Sequence, residues 1–192
     1  MKYNPPMARE RILDIGIGRG GTYINWDSPY TQRIGLDIDF AFLKMLKNVY
    51  PDVLPVRANA QRLPFPAGSI NTIEIILPCS YLLTPGLQTY HPNISVDNHQ
   101  AQTWYPEFFR ALVPHGNLRI FGDMWLHLPS ILTGSAPYFR HTRINHLSLD
   151  EFRQIGTRTS RDLLDKYSTQ FPQDLKTRFE EGLVEIWLLK RT

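Results

Sequence analysis

The stretch "ILDIGIGRGG", Ile12 to Gly21, decides the fold. It reads as an apolar strand that runs straight into a glycine cluster. Such a turn brings backbone N–H groups close to a ligand at the start of a helix. The spacing Gly16-x-Gly18-x-x-Gly21 satisfies the dinucleotide fingerprint. Asp37 follows about 20 residues on, where a ribose-binding acid belongs. A Walker A loop is excluded, because no Gly-Lys-Ser/Thr follows.

Two details weigh against a nicotinamide dinucleotide and the oxidoreductase it would imply. Asp14 stands just ahead of the first glycine. Its carboxylate opposes the positive field with which a helix N-terminus grips a pyrophosphate. It suits a ligand that is cationic or that offers ammonium and hydroxyl donors. The glycines also recur as Gly16, Gly18 and Gly20, with Gly21 adjacent, so the loop lets something bulky approach the backbone.

Outward from this loop the chain alternates strand and helix signals. Strands are expected at Arg11–Ile15, Arg33–Asp39 and 52–58. A fourth, isoleucine-rich strand over Ser69–Pro78 reads as buried on both faces. A fifth covers Asn117–Asp123, after a helix that ends near Val113. Helices are expected over Gly20–Trp26 and from Asp39 to Tyr50, the second stopped by Pro51. Met124–Leu147, rich in Pro, Gly, His and aromatics, reads as a long shaped loop. "SLDE", Ser148–Glu151, has capping-box spacing, and helices are expected at Arg161–Tyr167 and Asp174–Glu181. "LVEIWLLKR", Leu183–Arg191, is a closing strand whose Leu183, Glu185, Trp187 and Leu189 face one way and Val184, Ile186, Leu188 and Lys190 the other. The pattern gives an α/β fold with a mostly parallel central sheet and helices on both faces. With 192 residues, no internal repeat and no linker, one domain is the expectation.

Four segments in order carry a family resemblance. "LDIGIGRGG" resembles an acidic residue followed by Gly-x-Gly-x-Gly. "IGLDID" resembles a second motif with Asp37 at the end of strand two. "ANAQRLPFPAGSINTIEI" resembles the turn after strand three and strand four, and "FFRALVPHGNLRIFGD" the helix, turn and strand five. Together, over about Arg11 to Asp123, these resemble the class I, Rossmann-like, S-adenosylmethionine-dependent methyltransferases. The resemblance implies an antiparallel last strand and S-adenosylmethionine as cofactor. It implies that Asp14 orients the amino-acid portion while Gly16, Gly18 and Gly20 let the chain pass close under it. Asp37 would accept both ribose hydroxyls, a task for a carboxylate, and Ile38 would pack on the adenine. Asn59 would accept from the adenine amino group, the Ala60 N–H would serve a ring nitrogen, and Leu77 belongs to the same site. Three positions depart from the family pattern. Asn59 stands for the usual Asp and accepts without charge assistance, His115 stands for a glycine, and Asn71 for a frequent Asp.

Ligands in such folds sit at the carboxyl ends of the strands. The acceptor would therefore meet the segments after strands four and five. Asp123, which ends strand five, and Tyr81 are the candidate catalytic contacts. The competing role for Asp123 is a helix cap ahead of Trp125–Leu132. A narrower resemblance links "GDMW" and "TRFE", Thr177–Glu180, to the tRNA guanine-N7 methyltransferases. The Arg/Lys-rich stretch of that family after strand four is missing here. A small metabolite and an RNA base both stand as acceptors, and a non-catalytic binding protein of the same fold is the alternative class.

Composition narrows the rest. Net charge is +3 with no basic block, which permits RNA without demanding it. The single Cys79 excludes an intrachain disulfide, fits a cytoplasmic protein, and reads as a small buried residue rather than a nucleophile. No apolar run reaches membrane-spanning length and no signal-peptide core is present. The six histidines form no metal spacing. Arg140, Arg143, Arg153, Arg158 and Arg161 read either as a phosphate-binding face or as a solvated helix surface. Trp104, Tyr105, Phe108 and Phe109 read as core and cleft wall, whereas Trp125 and Tyr138 either stack on a planar substrate or pack in the core.

Overall fold

A computed structural model of the chain describes residues 9–16, 31–76, 100–123, 135–146 and 183–192. Within them, β1 (Glu10–Ile15), β2 (Thr31–Asp37), α1 (Phe40–Val49), β3 (Leu54–Arg57) and β4 (Ile70–Ile76) follow one another. Then come α2 (Gln100–Ala111), β5 (Leu112–Asp123), β6 (Phe139–His146) and β7 (Leu183–Lys190). The strands form one sheet of seven in the order β3-β2-β1-β4-β5-β7-β6. The first five are mutually parallel, while β7 runs antiparallel to both β5 and β6. The expected antiparallel closing strand is therefore present, over Leu183–Lys190.

The two faces of the sheet differ. Leu13, Ile15, Ile34, Leu36, Ile73, Ile75, Leu118, Ile120, Ile186 and Leu188 line one face and are buried together. Against them α2 packs Trp104, Tyr105 and Phe108, which helical spacing brings to one side. Phe108 meets Trp104 and Tyr105 edge-to-face at 6.2 and 6.4 Å. Each such side chain contributes roughly 1.5–3 kcal/mol of burial. The other face carries Asp14, Thr72, Glu74, Arg119 and Glu185, all buried as well. The fourth strand is thus buried on both faces, as expected, but its second face is polar.

Helix α1 starts where Asp39 caps it, its Oδ1 accepting from the Ala41 N–H at 2.8 Å. This cap ends β2 at Asp37, not at Asp39. Leu43 and Leu46 bury against Val53 and Tyr50, and Pro51 follows the last turn.

Two expectations need correction. Phe139–His146, read as part of a loop, is the edge strand β6. Its period-2 signal is broken by a register shift between His141 and Arg143, and its exposed positions carry Arg140, His141, Thr142 and Arg143 beside one apolar residue, Ile144, the polar ones being typical of an edge strand. Arg140 and Arg143 consequently stand on a strand, not on a helix surface. The second correction concerns β5, which begins at Leu112 instead of Asn117. Leu112 pairs with Ile70, an irregularity follows, and pairing resumes at Asn117 with Thr72. His115 turns the chain there at φ 61°, the left-handed region that the resemblance's glycine would occupy. Gly116 is equally constrained, since a Cβ would meet the Asn71 and Val113 carbonyl oxygens at 3.0 Å.

The helices expected at Gly20–Trp26, Arg161–Tyr167 and Asp174–Glu181 and the Ser148–Glu151 cap lie outside the described residues. Among the described residues no helix is long and apolar enough to cross a membrane.

Candidate cofactor site

Three adjacent strand ends build the candidate site. Gly16 leaves β1 with φ 70°, a conformation that favours glycine, and its N–H donates to the Leu36 carbonyl at 2.8 Å. Asp14, two residues earlier, is only 3% exposed. It lies beside Gly35 of β2 and Glu74 of β4 in the register.

The end of β2 places Asp37 at 9% exposure. Its Oδ1 accepts from the Asp39 N–H at 2.9 Å, which fixes the carboxylate over its own turn. Ile38 between them is 66% exposed, among the more exposed large apolar side chains described. Arg57, the register partner of Asp37 on β3, donates from Nε to the Ile38 carbonyl at 3.2 Å. The turn that carries Ile38 is thus held from both sides.

The end of β3 supplies the third wall. The Ala58 N–H donates to the Asp37 carbonyl at 3.1 Å, continuing the β2–β3 ladder past Arg57. Asn59 Oδ1 accepts from the Gln61 N–H at 2.9 Å, and the Arg62 N–H closes the turn on the Asn59 carbonyl at 3.0 Å. Asn59 is exposed and Ala60 buried. A carbonyl oxygen has two lone pairs, so Asn59 Oδ1 retains capacity for a second donor. Neighbouring strands stand about 4.8 Å apart, so Gly16, Asp37 with Ile38, and Asn59 with Ala60 share one edge of the sheet.

Asp123 ends β5 at the same carboxyl edge, paired across β7 with Leu183. Gly18, Gly20, Leu77, Cys79, Tyr81 and Trp125 lie outside the described residues. Tyr138 takes the second of its two roles. It packs against Phe109 at 5.9 Å and joins the core periphery. Among the described residues no group of three His, Cys, Asp or Glu side chains is disposed to hold a metal ion.

Sequence reading missed a buried charge network beside Asp14. Arg119 Nη1 donates to Glu74 Oε1 at 2.6 Å and Nη2 to Glu185 Oε1 at 3.2 Å. Asn145 Nδ2 donates to Glu185 Oε2 at 2.6 Å. The guanidinium lies 4.0 Å from the Trp187 ring centre and 4.7 Å from that of Phe121. Burial pushes the Glu74 carboxyl above its usual range, against the opposing pull of Arg119. The available signal was a charge set among apolar residues in the interior of each of three strands: Glu74 in "INTIEII", Arg119 in "NLRIFGD" and Glu185 in "LVEIWLLK".

Known proteins place this architecture. No family model matches the chain and no curated protein matches it significantly. Solved structures do. The 16S rRNA methyltransferase KamB superposes with a TM-score of 0.63 at 14% identity, over 95% of this chain and 88% of that one. The N-methyltransferase NodS from Bradyrhizobium japonicum, crystallised with S-adenosylhomocysteine, gives 0.60 at 10% identity, over 95% and 79%. The chain has the Rossmann-like methyltransferase fold. The [4+2]-cyclase SpnF is similar to it too, with a TM-score of 0.60 at 15% identity over 95% and 75%. The same fold thus bears differently named activities.

Proposed function

We propose that this chain is an S-adenosylmethionine-dependent methyltransferase. The observation that carries the reading is the pair at the end of β2. A fixed, nearly buried carboxylate, Asp37, is followed by an isoleucine left 66% exposed. An acceptor for hydroxyls beside an uncovered apolar side chain matches a ribose carrying a flat purine.

Asp37 accepts from both ribose hydroxyls, and Ile38 covers one face of the adenine. Asn59 Oδ1 accepts from the adenine amino group, and the Ala60 N–H donates to a ring nitrogen. Asp14 orients the ammonium end, Gly16, Gly18 and Gly20 give the backbone room to pass beneath it, and Leu77 belongs to the same set. When bound, the cofactor supplies a sulfonium-held methyl group and its own leaving group. The protein's share is alignment of the acceptor and exclusion of water. The acceptor meets Asp123 and Tyr81 at the carboxyl edge, within a chain that forms one cytoplasmic domain. An acceptor hydroxyl needs a base there, whereas a ring nitrogen with a free lone pair does not.

The test is transfer of a labelled methyl group to small-RNA and metabolite fractions, wild type beside Asp123→Asn. Asn caps a helix about as well as Asp. Lower turnover at unchanged melting temperature and cofactor affinity therefore supports an acceptor contact. Equal turnover removes Asp123 from the site. Tight cofactor binding with no transfer to any fraction favours a non-catalytic binding protein.

A further inference from the structure

The turn that reads the adenine in this account is gripped from behind by α2. Glu107 accepts from the Leu63 N–H at 2.7 Å. Arg110 holds that carboxylate with a two-point bond, Nε to Oε2 at 2.8 Å and Nη2 to Oε1 at 2.7 Å. The same guanidinium donates to the Leu63 carbonyl at 3.1 Å and to the Phe65 carbonyl at 2.9 Å. The end of the segment is tied to the same helix, through Gly68 N–H to the Arg110 carbonyl and Ser69 N–H to the Ala111 carbonyl, both 2.9 Å. At its beginning the Ala58 N–H is anchored on the Asp37 carbonyl. The segment that presents Asn59 and Ala60 is thus stretched between the ribose-binding strand and α2.

We propose that Glu107 and Arg110 are positioning residues for adenine recognition, holding the Asn59–Leu63 turn so that its purine-reading groups keep their place beside Asp37. The inference rests on the methyltransferase reading and deepens it. Neither side chain needs to touch the cofactor. Their hydrogen bonds all go to the turn's backbone or to each other, so they act through Asn59 and Ala60. An exposed ion pair would contribute little by itself. Here the fork is spent on two carbonyls and a carboxylate that itself holds an N–H, which fixes direction as well as distance.

Adenine and hypoxanthine separate positioning from mere stabilisation. Hypoxanthine carries a carbonyl where adenine carries its amino group, and a hydrogen on the adjacent ring nitrogen. Against a fixed turn, the Ala60 N–H then meets a donor and Asn59 Oδ1 meets an acceptor. The probes are S-adenosylhomocysteine and its hypoxanthine analogue, titrated calorimetrically into wild type, Glu107→Gln, Glu107→Ala and Arg110→Lys. Wild type is expected to prefer the adenine ligand by about tenfold or more, since both contacts turn repulsive. Glu107→Ala frees the turn, and the preference falls toward unity. Glu107→Gln retains an oxygen for the Leu63 N–H and keeps most of the preference. Arg110→Lys, which loses the fork without leaving a cavity, falls between them and serves if the alanine variant does not fold. Both ligands share the ribose and the amino-acid end, so general loosening weakens them by one factor. A preference that is equal in all four proteins overturns the proposal while leaving the methyltransferase reading intact. A wild type that binds neither ligand overturns both.

Discussion

Asp37→Asn isolates the charge that the proposed function sets against the ribose. The carboxylate is 9% exposed, and its Oδ1 already holds the Asp39 N–H at 2.9 Å. An asparagine oxygen still accepts that bond, so the turn and the α1 cap persist. Under the proposed function, what is lost is charge assistance to two ribose hydroxyls. A hydrogen bond to a charged group is worth about 1.5–3 kcal/mol and a neutral one about 0.5–1.5 kcal/mol. The difference is about 1–1.5 kcal/mol for each hydroxyl, and about 2–3 kcal/mol for the pair. S-adenosylhomocysteine should therefore bind about 30- to 150-fold more weakly. Asp37→Ala should lose more, because it also releases the Asp39 N–H. Asp39→Asn is the control: asparagine caps α1 as well as aspartate does, and affinity should stay within about threefold of wild type. Calorimetry at one pH and salt concentration, with melting curves for each protein, reads all of these. Wild-type affinity in Asp37→Asn would refute the assignment of Asp37 to the ribose.

The buried network predicts that Arg119→Met destabilises the fold by about 3–5 kcal/mol, because two buried carboxylates lose their shared partner. Replacing Glu74, Arg119 and Glu185 together by apolar residues should cost far less, and urea unfolding of both variants would show whether the order is reversed. Glu107 has its carboxyl held below the usual 4.5, first by its hydrogen bond from Arg110. A lowered native pKa stabilises the fold above the unfolded value and ceases to do so as pH falls through the native one. The melting-temperature gap between wild type and Glu107→Gln should accordingly be full at neutral pH and close as the pH drops below 4.5; a gap constant into acid would contradict it. His115 holds a left-handed conformation, so His115→Gly should raise stability by up to about 1 kcal/mol, the residue's strain less the entropy glycine loses on folding. A lower melting temperature in that variant would sink the strain argument.

Legibility in the sequence followed apolar burial. The parallel strands β2, β1, β4 and β5 are the central ones, and their Ile and Leu runs mark them without help from context, whereas β3 is an edge with no buried residue and gives the weaker signal. The closing strand was equally plain, because Ile186 and Leu188 alternate with Glu185 and Trp187 against the core. β6 was not legible. It is an edge on which Arg140, His141, Thr142, Arg143 and Ile144 are all exposed, and the register shift between His141 and Arg143 breaks the alternation that a strand needs to be recognised. The start of β5 was hidden for a related reason: "VPHG" reads as a turn, and it is one, but it sits inside the strand's pairing. In the site, Asp14, Gly16 and Asp37 follow from spacing, while Ile38, Asn59 and Ala60 needed the resemblance. The Glu107–Arg110 grip on the Leu63 turn joins residues more than forty positions apart, and no local pattern announces such a contact. The Glu74–Arg119–Glu185 network left a trace in charge placement alone, and pairing these three interior charges required the strand order.

The most direct test of the account is a titration of the purified wild-type protein with S-adenosylhomocysteine beside NAD. Asp14 ahead of the glycines, the fixed Asp37 carboxylate and the uncovered Ile38 predict saturable one-to-one binding of S-adenosylhomocysteine and no heat with NAD. Saturable binding of NAD, with none of S-adenosylhomocysteine, would contradict it.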